Sequence, residues 1–349
     1  MGVLGWLKKN VADPIVDTAK QWANTVSNAW NDINDEINDI GKAFAELGDD
    51  LKDLADSIVK LGYTNVQLGG GNDNYTASSI GANIVKGGGG NDTLTVTAGA
   101  YNTLFGEDGN DTLVIKVGAY NKIDGGSGDD TIRIYVGAYN KVFGGDGSDN
   151  IEISAGAYAD IDAGGGNNTI TSTSGYNEID AGTGDDKVTA YGGYNDIDVG
   201  QGNNTVYAAG GGNKIATYGG NDNIQAYGGS NVVNAGDGNN SVTVGGASNS
   251  VTTGSGNDTV SADGVSNSIT TGAGNDKVTV TAASNTVNVG SGDNTVSAGA
   301  ATTRSAPRAA ATTSARSAAT TPWRPATATT PSASAAPATR SPAAAATTA

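Results

Sequence analysis

Gly87-Gly88-Gly89-Gly90-Asn91-Asp92-Thr93-Leu94-Thr95 is the stretch on which the fold turns. Four glycines lead into two Asx residues, then an apolar residue held between threonines. The Gly-Asx pair at 90–91 is preceded by Gly71-Asn72. It returns at Gly109-Asn110, Gly128-Asp129, Gly147-Ser148 (the one serine exception) and Gly166-Asn167, always 19 residues apart. From there the spacing is 18, through Gly184, Gly202, Gly220, Gly238, Gly256, Gly274 and Gly292. Thirteen copies result. A fixed period of this length marks a repeat architecture. The step from 19 to 18 is a single deletion: Gly-Ala-Tyr-Asn at 137–140 shortens to Gly-Tyr-Asn at 175–177.

Each copy contains two apolar columns half a period apart. One runs Leu94, Leu113, Ile132, Ile151, Ile170, Val188 and onward to Val296; the other runs Val85, Leu104, Ile123, Val142, Ile161, Ile179 and onward to Val287. Around each member the pattern alternates with period two, as strands do. A strand–turn–strand–turn unit of 18–19 residues cannot bury its own apolar face, so the copies must stack. The expectation is an all-β parallel β-solenoid of about 13 coils over 63–299. At about 4.8 Å per coil it would form a rod of roughly 60 Å.

Numbered from Gly87, the turn has glycine at positions one, two and four, aspartate at six and leucine at eight. Gly125, Gly126, Gly128, Asp130 and Ile132 fill the same places, as do Gly144, Gly145, Gly147, Asp149 and Ile151. This pattern resembles the repeats-in-toxin (RTX, hemolysin-type) calcium-binding nonapeptide, GGxGxDxUx. The resemblance implies a right-handed parallel β-roll with calcium held between the turns of successive coils. The residue types suit the chemistry. Calcium takes six to eight oxygens, glycine permits the positive φ that aims carbonyls inward, and an aspartate adds charge.

The sixth-position column supplies the candidate metal ligands: Asp73, Asp92, Asp111, Asp130, Asp149, Asn168, Asp186, Asn204, Asp222, Asn240, Asp258, Asp276 and Asn294. Sites pairing two aspartates are expected to be strongest, namely Asp73/Asp92, Asp92/Asp111, Asp111/Asp130, Asp130/Asp149 and Asp258/Asp276. The second turn carries Gly-Ala-Tyr-Asn or Gly-Ala-Ser-Asn and no such cage, so calcium is expected on one edge only. There an asparagine ladder is expected from Asn102, Asn121 and Asn140, broken by Ala159, then resuming at Asn177. A tyrosine column runs beside it from Tyr101 to Tyr194. Stacked Asn and Asp can also cap turns without metal. That is the competing reading of the first turn, though stacked carboxylates about 5 Å apart would repel without a cation.

Composition excludes several functions. The chain has 349 residues, no cysteine and no histidine, which removes disulfides, thiol nucleophiles and Ser-His-Asp triads. A net charge of -17 argues against nucleic-acid binding. No apolar run reaches membrane-spanning length. Before the repeat, apolar residues step by three and four from Trp22 to Leu61, which predicts a long amphipathic heptad helix over 1–62 that caps the roll or self-associates. After it, glycine and acidic residues vanish and five arginines appear. Residues 300–349 read as a disordered Ala/Thr/Pro-rich tail. Ala-Thr-Thr there recurs at 301, 311, 319, 328 and 346, echoing half and full coils, as a frameshifted repeat would.

These features predict a non-enzymatic, calcium-binding, structural or adhesive protein that folds on calcium. It would be exported by type I machinery to the bacterial surface or beyond, where surface polysaccharide or matrix would be its partner. The alternatives are a non-catalytic calcium-binding module of a secreted enzyme and an ice-binding solenoid, the latter suggested by the outward row Thr93, Thr112 and Thr131.

Overall fold

The computed structural model describes residues 62–305 and 313–316. The predicted helix over 1–62 lies outside them, apart from Gly62. Among the described residues there is no helix, and every strand pairing is parallel. Partners lie 19 apart in the early coils, as in Thr112↔Thr131, and 18 apart later, as in Thr169↔Lys187. Each coil therefore sits on the same residues of the one before, which is the β-solenoid the periodicity predicts.

Both apolar columns point inward. Leu94, Leu104, Leu113, Ile123, Ile132 and Val142 are each fully buried, and the core continues unbroken to Val296. Thr112–Ser127, Thr131–Asp146 and Asn150–Gly165 each run as one 16-residue strand bent around the second turn. Elsewhere the coil is divided, as in Thr259–Ala262 followed by Ser266–Thr270. Pairing also passes the expected end of the roll at 299. The strand Thr295–Ser305 aligns with Thr313–Arg316, Thr295 lying opposite Thr313. Thr313–Arg316 keeps the 18-residue register of the repeat, whereas residues 301–305 pair 16 residues back, with 285–289, after two register shifts.

The change of period has a structural adapter. Between the strands Asn150–Gly165 and Thr169–Asp180 the register shifts at Ser172/Ser174. Both serines are buried. In the longer coils before it, Tyr101, Tyr120 and Tyr139 take a left-handed φ of 53° at the second turn. The extra residue is accommodated there, at a conformational cost that L-residues usually avoid. The tyrosine rings stack, with centroids 5.3 Å apart for Tyr101–Tyr120 and 4.9 Å for Tyr120–Tyr139.

The second turn carries the expected amide ladder. Asn102 Nδ2 donates to Asn121 Oδ1 at 2.9 Å, and Asn121 to Asn140 at 2.8 Å. The ladder begins one coil earlier than its sequence pattern suggests, at Asn83. It stops at Ala159. Asn177 restarts it, and the Ser172 hydroxyl donates to the otherwise unserved Asn177 Oδ1 at 2.6 Å. From Asn177 the amides connect coil by coil to Asn285.

A candidate metal-binding edge

The first turn is shaped by glycine for two different reasons. Position-four glycines have positive φ throughout, from Gly71 to Gly292. Position two is mostly glycine at positive φ as well, such as Gly88 and Gly126 at 108°. Glu107 occupies that position at φ 76°, a costly conformation for a residue with a Cβ. Position one is different. Gly87, Gly106, Gly125 and Gly144 do not lie in the left-handed region, yet each has no room for a side chain. A Cβ on Gly125 would stand 2.3 Å from Asp130 Oδ2 and 2.4 Å from the Gly144 carbonyl oxygen. A Cβ on Gly106 would meet Asp111 Oδ2 and the Gly125 oxygen in the same way. At each place a carboxylate oxygen and the next coil's carbonyl converge on one point.

All thirteen sixth-position residues fall in one column, and all but Asp73, which is half-buried, are buried. They are joined by a ladder. Asp73 N–H donates to Asp92 Oδ1 at 2.8 Å, Asp92 to Asp111 at 2.7 Å, Asp111 to Asp130 at 2.7 Å and Asp130 to Asp149 at 2.8 Å. The same backbone-to-side-chain bond continues through Asn168, Asp186, Asn204, Asp222, Asn240, Asp258 and Asp276 to Asn294. The turn-capping expected of a metal-free ladder is therefore present, but it uses only Oδ1.

The other oxygen is left over. Oδ2 of Asp92, Asp111, Asp130, Asp149, Asp186, Asp222, Asp258 and Asp276 is buried with no hydrogen-bond partner. A buried, unpartnered carboxylate oxygen is costly and demands a proton or a cation. Burial accordingly raises the Asp130 carboxyl to about 7, with smaller upward pushes from Asp149, Asp111 and Asp129 and a downward pull from the ladder N–H. Asp149 rises to about 6, again chiefly through burial. Asp111 is raised for the same first reason.

The oxygen set fits calcium. Hard cations take carboxylate and backbone carbonyl oxygens, and here Oδ2 of one coil faces the position-one carbonyl of the next. Among the described residues no three acidic side chains converge as a ready-made cage. Carbonyls must therefore supply most of the ligands, as the glycine-rich turn allows.

The family model of the RTX calcium-binding nonapeptide repeat matches residues 68–101, 99–114, 120–133 and a series of overlapping segments from 162 to 301. Together these matches cover more than half of the chain. The chain belongs to that family. As an RTX repeat protein it has calcium as its metal. Neither the curated proteins nor the solved structures contain a match to it. No helix among the described residues is long and apolar enough to cross a membrane.

Sequence reasoning placed the sixth-position column correctly on one buried edge but passed over the first. Position one reads Gly87, Gly106, Gly125 and Gly144, then Ala163, Ala181, Val199, Thr217, Ala235, Thr253, Thr271 and Val289. The change was visible in the sequence. Its meaning was not, because only the folded turn shows that a Cβ on these glycines would meet Oδ2.

Proposed function

We propose that the aspartates of this edge hold calcium, and that the protein is a secreted calcium-binding structural element at the bacterial surface or beyond, without catalytic activity. The observation that carries the reading is the row of buried, unpartnered Oδ2 atoms beside converging carbonyls. Bound calcium supplies positive charge between carboxylates that otherwise repel. The residues' own part is to present Oδ2 at a fixed depth: the Oδ1 ladder locks each carboxyl group, and at Gly87, Gly106, Gly125 and Gly144 the missing Cβ lets Oδ2 and the next coil's carbonyl oxygen come within 2.7 Å of the point a Cβ would fill. Such a site does not exist in the unfolded chain, so ion binding is coupled to folding. Extracellular calcium modules work at about 10⁻⁴–10⁻³ M. An exported chain would thus close its aspartate coils outside the cell.

A structural or adhesive role is supported by what the repeat lacks: no histidine and no cysteine anywhere in the chain. The long parallel rod is suited to a stalk, and surface polysaccharide or matrix is its proposed partner.

Calorimetric titration of the full chain tests the site assignment. Asp111→Ala and Asp130→Ala should each weaken calcium binding, whereas Asn204→Ala should leave it nearly unchanged. Equal losses for all three would show that the sixth-position carboxylate is not the ligand.

A further inference from the structure

We infer that calcium enters only the coils of 87–149, and that the coils of 163–294 are sealed by their own side chains and stand without metal. The inference rests on the calcium reading above and divides the edge in two.

The division is set by two columns. In the first group position one is glycine, and a Cβ there would stand within 2.7 Å of both Oδ2 and the next coil's position-one carbonyl oxygen. In the second group position one carries a Cβ that lies within the core: Ala163, Ala181, Val199, Ala235 and Val289 belong to the apolar cluster, and Thr217, Thr253 and Thr271 are buried.

The second column supplies hydrogen where the first group has none. Asn168 Nδ2 donates to Gly166 O at 3.3 Å and to Ala181 O, the position-one carbonyl of the next coil, at 3.1 Å. Asn204 Nδ2 donates to Gly202 O at 3.2 Å. Asn240 Nδ2 donates to Gly236 O and Gly238 O at 3.2 Å each, and Asn294 Nδ2 to Gly290 O and Gly292 O. These are the inward carbonyls of the turn. The amide orientation is fixed chemically, because Oδ1 must accept the ladder N–H and only Nδ2 remains. In an aspartate coil the corresponding atom is Oδ2. The amide thus stands where a cation would be needed.

The aspartates of the second group are interleaved with these devices. Asp222 follows Thr217, whose hydroxyl donates to the Ala235 carbonyl at 2.7 Å. Thr253 and Thr271 take the same place before Asp258 and Asp276, their hydroxyls buried with no hydrogen-bond partner, and Ala181 sets a methyl before Asp186. The Ala181 and Ala235 carbonyls, served by the Asn168 amide and the Thr217 hydroxyl, are poor ligands, and every coil of this group carries the position-one Cβ that glycine omits at 87, 106, 125 and 144. The pair Asp258/Asp276, strong by charge alone, is therefore assigned no ion.

Ion counting by equilibrium dialysis of the full chain, in salt that screens the outer surface, decides this. The expected count is about four, one for each position-one glycine at 87, 106, 125 and 144. A count near nine, one per aspartate of the column, overturns the inference and leaves the calcium reading standing; no bound ion overturns the calcium reading itself. Gly125→Ala should remove one ion, and Thr253→Ala none. If Gly125→Ala fails to fold, hydrogen exchange of the unaltered chain still discriminates. In chelator, amides of 163–294 should stay protected while those of 87–149 exchange and regain protection on adding calcium. A uniform response along the roll would contradict the division.

Discussion

Asp130 shows how one side chain can serve two masters. Its Oδ1 caps the preceding coil through the Asp111 N–H, and its Oδ2 has nothing to bond. In Asp130→Asn the new amide could donate to turn carbonyls, as Asn168 does. In chelator this variant should be more stable than the parent by about 1–3 kcal/mol, the usual cost of a buried unsatisfied group. With calcium the order should reverse. Parallel thermal melts in the two buffers measure both arms, and a variant less stable in chelator would contradict the orphan-oxygen account. The same carboxyls predict a pH dependence. Folding raises Asp130 to about 7 and Asp149 to about 6 from an ordinary 3.8, mainly by burial. The metal-free fold therefore holds protons that the unfolded chain releases. This contribution is fully present below about pH 4 and is lost as pH rises through the folded values. In chelator the melting temperature should fall from pH 5 to pH 8, and calcium should flatten that slope. A melting temperature that rises over this range would rule the assignment out. Glu107 is a simpler case. It sits at φ 76° where most coils place glycine, so Glu107→Gly should stabilise the roll by up to about 1 kcal/mol, read from the denaturation midpoint.

At the scale of the turn, the two edges of the coil solve one problem in different ways. Stacked coils need polar groups that link one turn to the next, and both edges provide an Asx side chain in each coil save at Ala159. On the second edge the ladder is amide to amide, with only the Asn83 Oδ1 at its start left without a partner, and no metal is called for. Asn121 both accepts from Asn102 and donates to Asn140. Asn121→Ala should cost about 1–3 kcal/mol by stranding buried groups in two coils, whether or not calcium is present. A calcium-dependent loss would mean that the two edges are coupled. Ala159 is tolerated because Ser172 serves the Asn177 oxygen. This edge was readable almost completely from the Asn column, since a row of asparagines, even one interrupted at Ala159, has one use in a buried stack. The first edge was read only in part. The sixth-position column told which oxygens were present. That one oxygen is consumed by the ladder, and that the position-one Cβ decides the rest, depends on distances in the turn, and no residue pattern carries those directly. The extra residue of the 19-residue coils was likewise legible as Gly-Ala-Tyr-Asn, but its storage at a left-handed tyrosine was not.

Among the described residues, strand pairings run between neighbouring coils, so the stability of the roll is close to a sum over coils and their interfaces. Periodicity alone was enough to predict such a rod, because a repeat with one inward residue per strand has no other way to bury it. The core is bulkiest where the edge is most acidic: Leu94, Leu113, Ile115, Ile132, Ile134, Ile151 and Ile153 lie in the aspartate coils, whereas Ala190, Ala208, Ala226 and Ala262 line the later ones. The larger apolar burial there offsets part of the carboxylate repulsion. The two thirds of the roll that follow can stack without that reserve. Crystals grown in calcium, measured at a wavelength where calcium scatters anomalously, test the central claim most directly. The account predicts anomalous peaks along the first-turn edge beside Asp92, Asp111, Asp130 and Asp149, bounded by the position-one carbonyls. Peaks on the asparagine edge, or no peak beside Asp111 and Asp130, would contradict it.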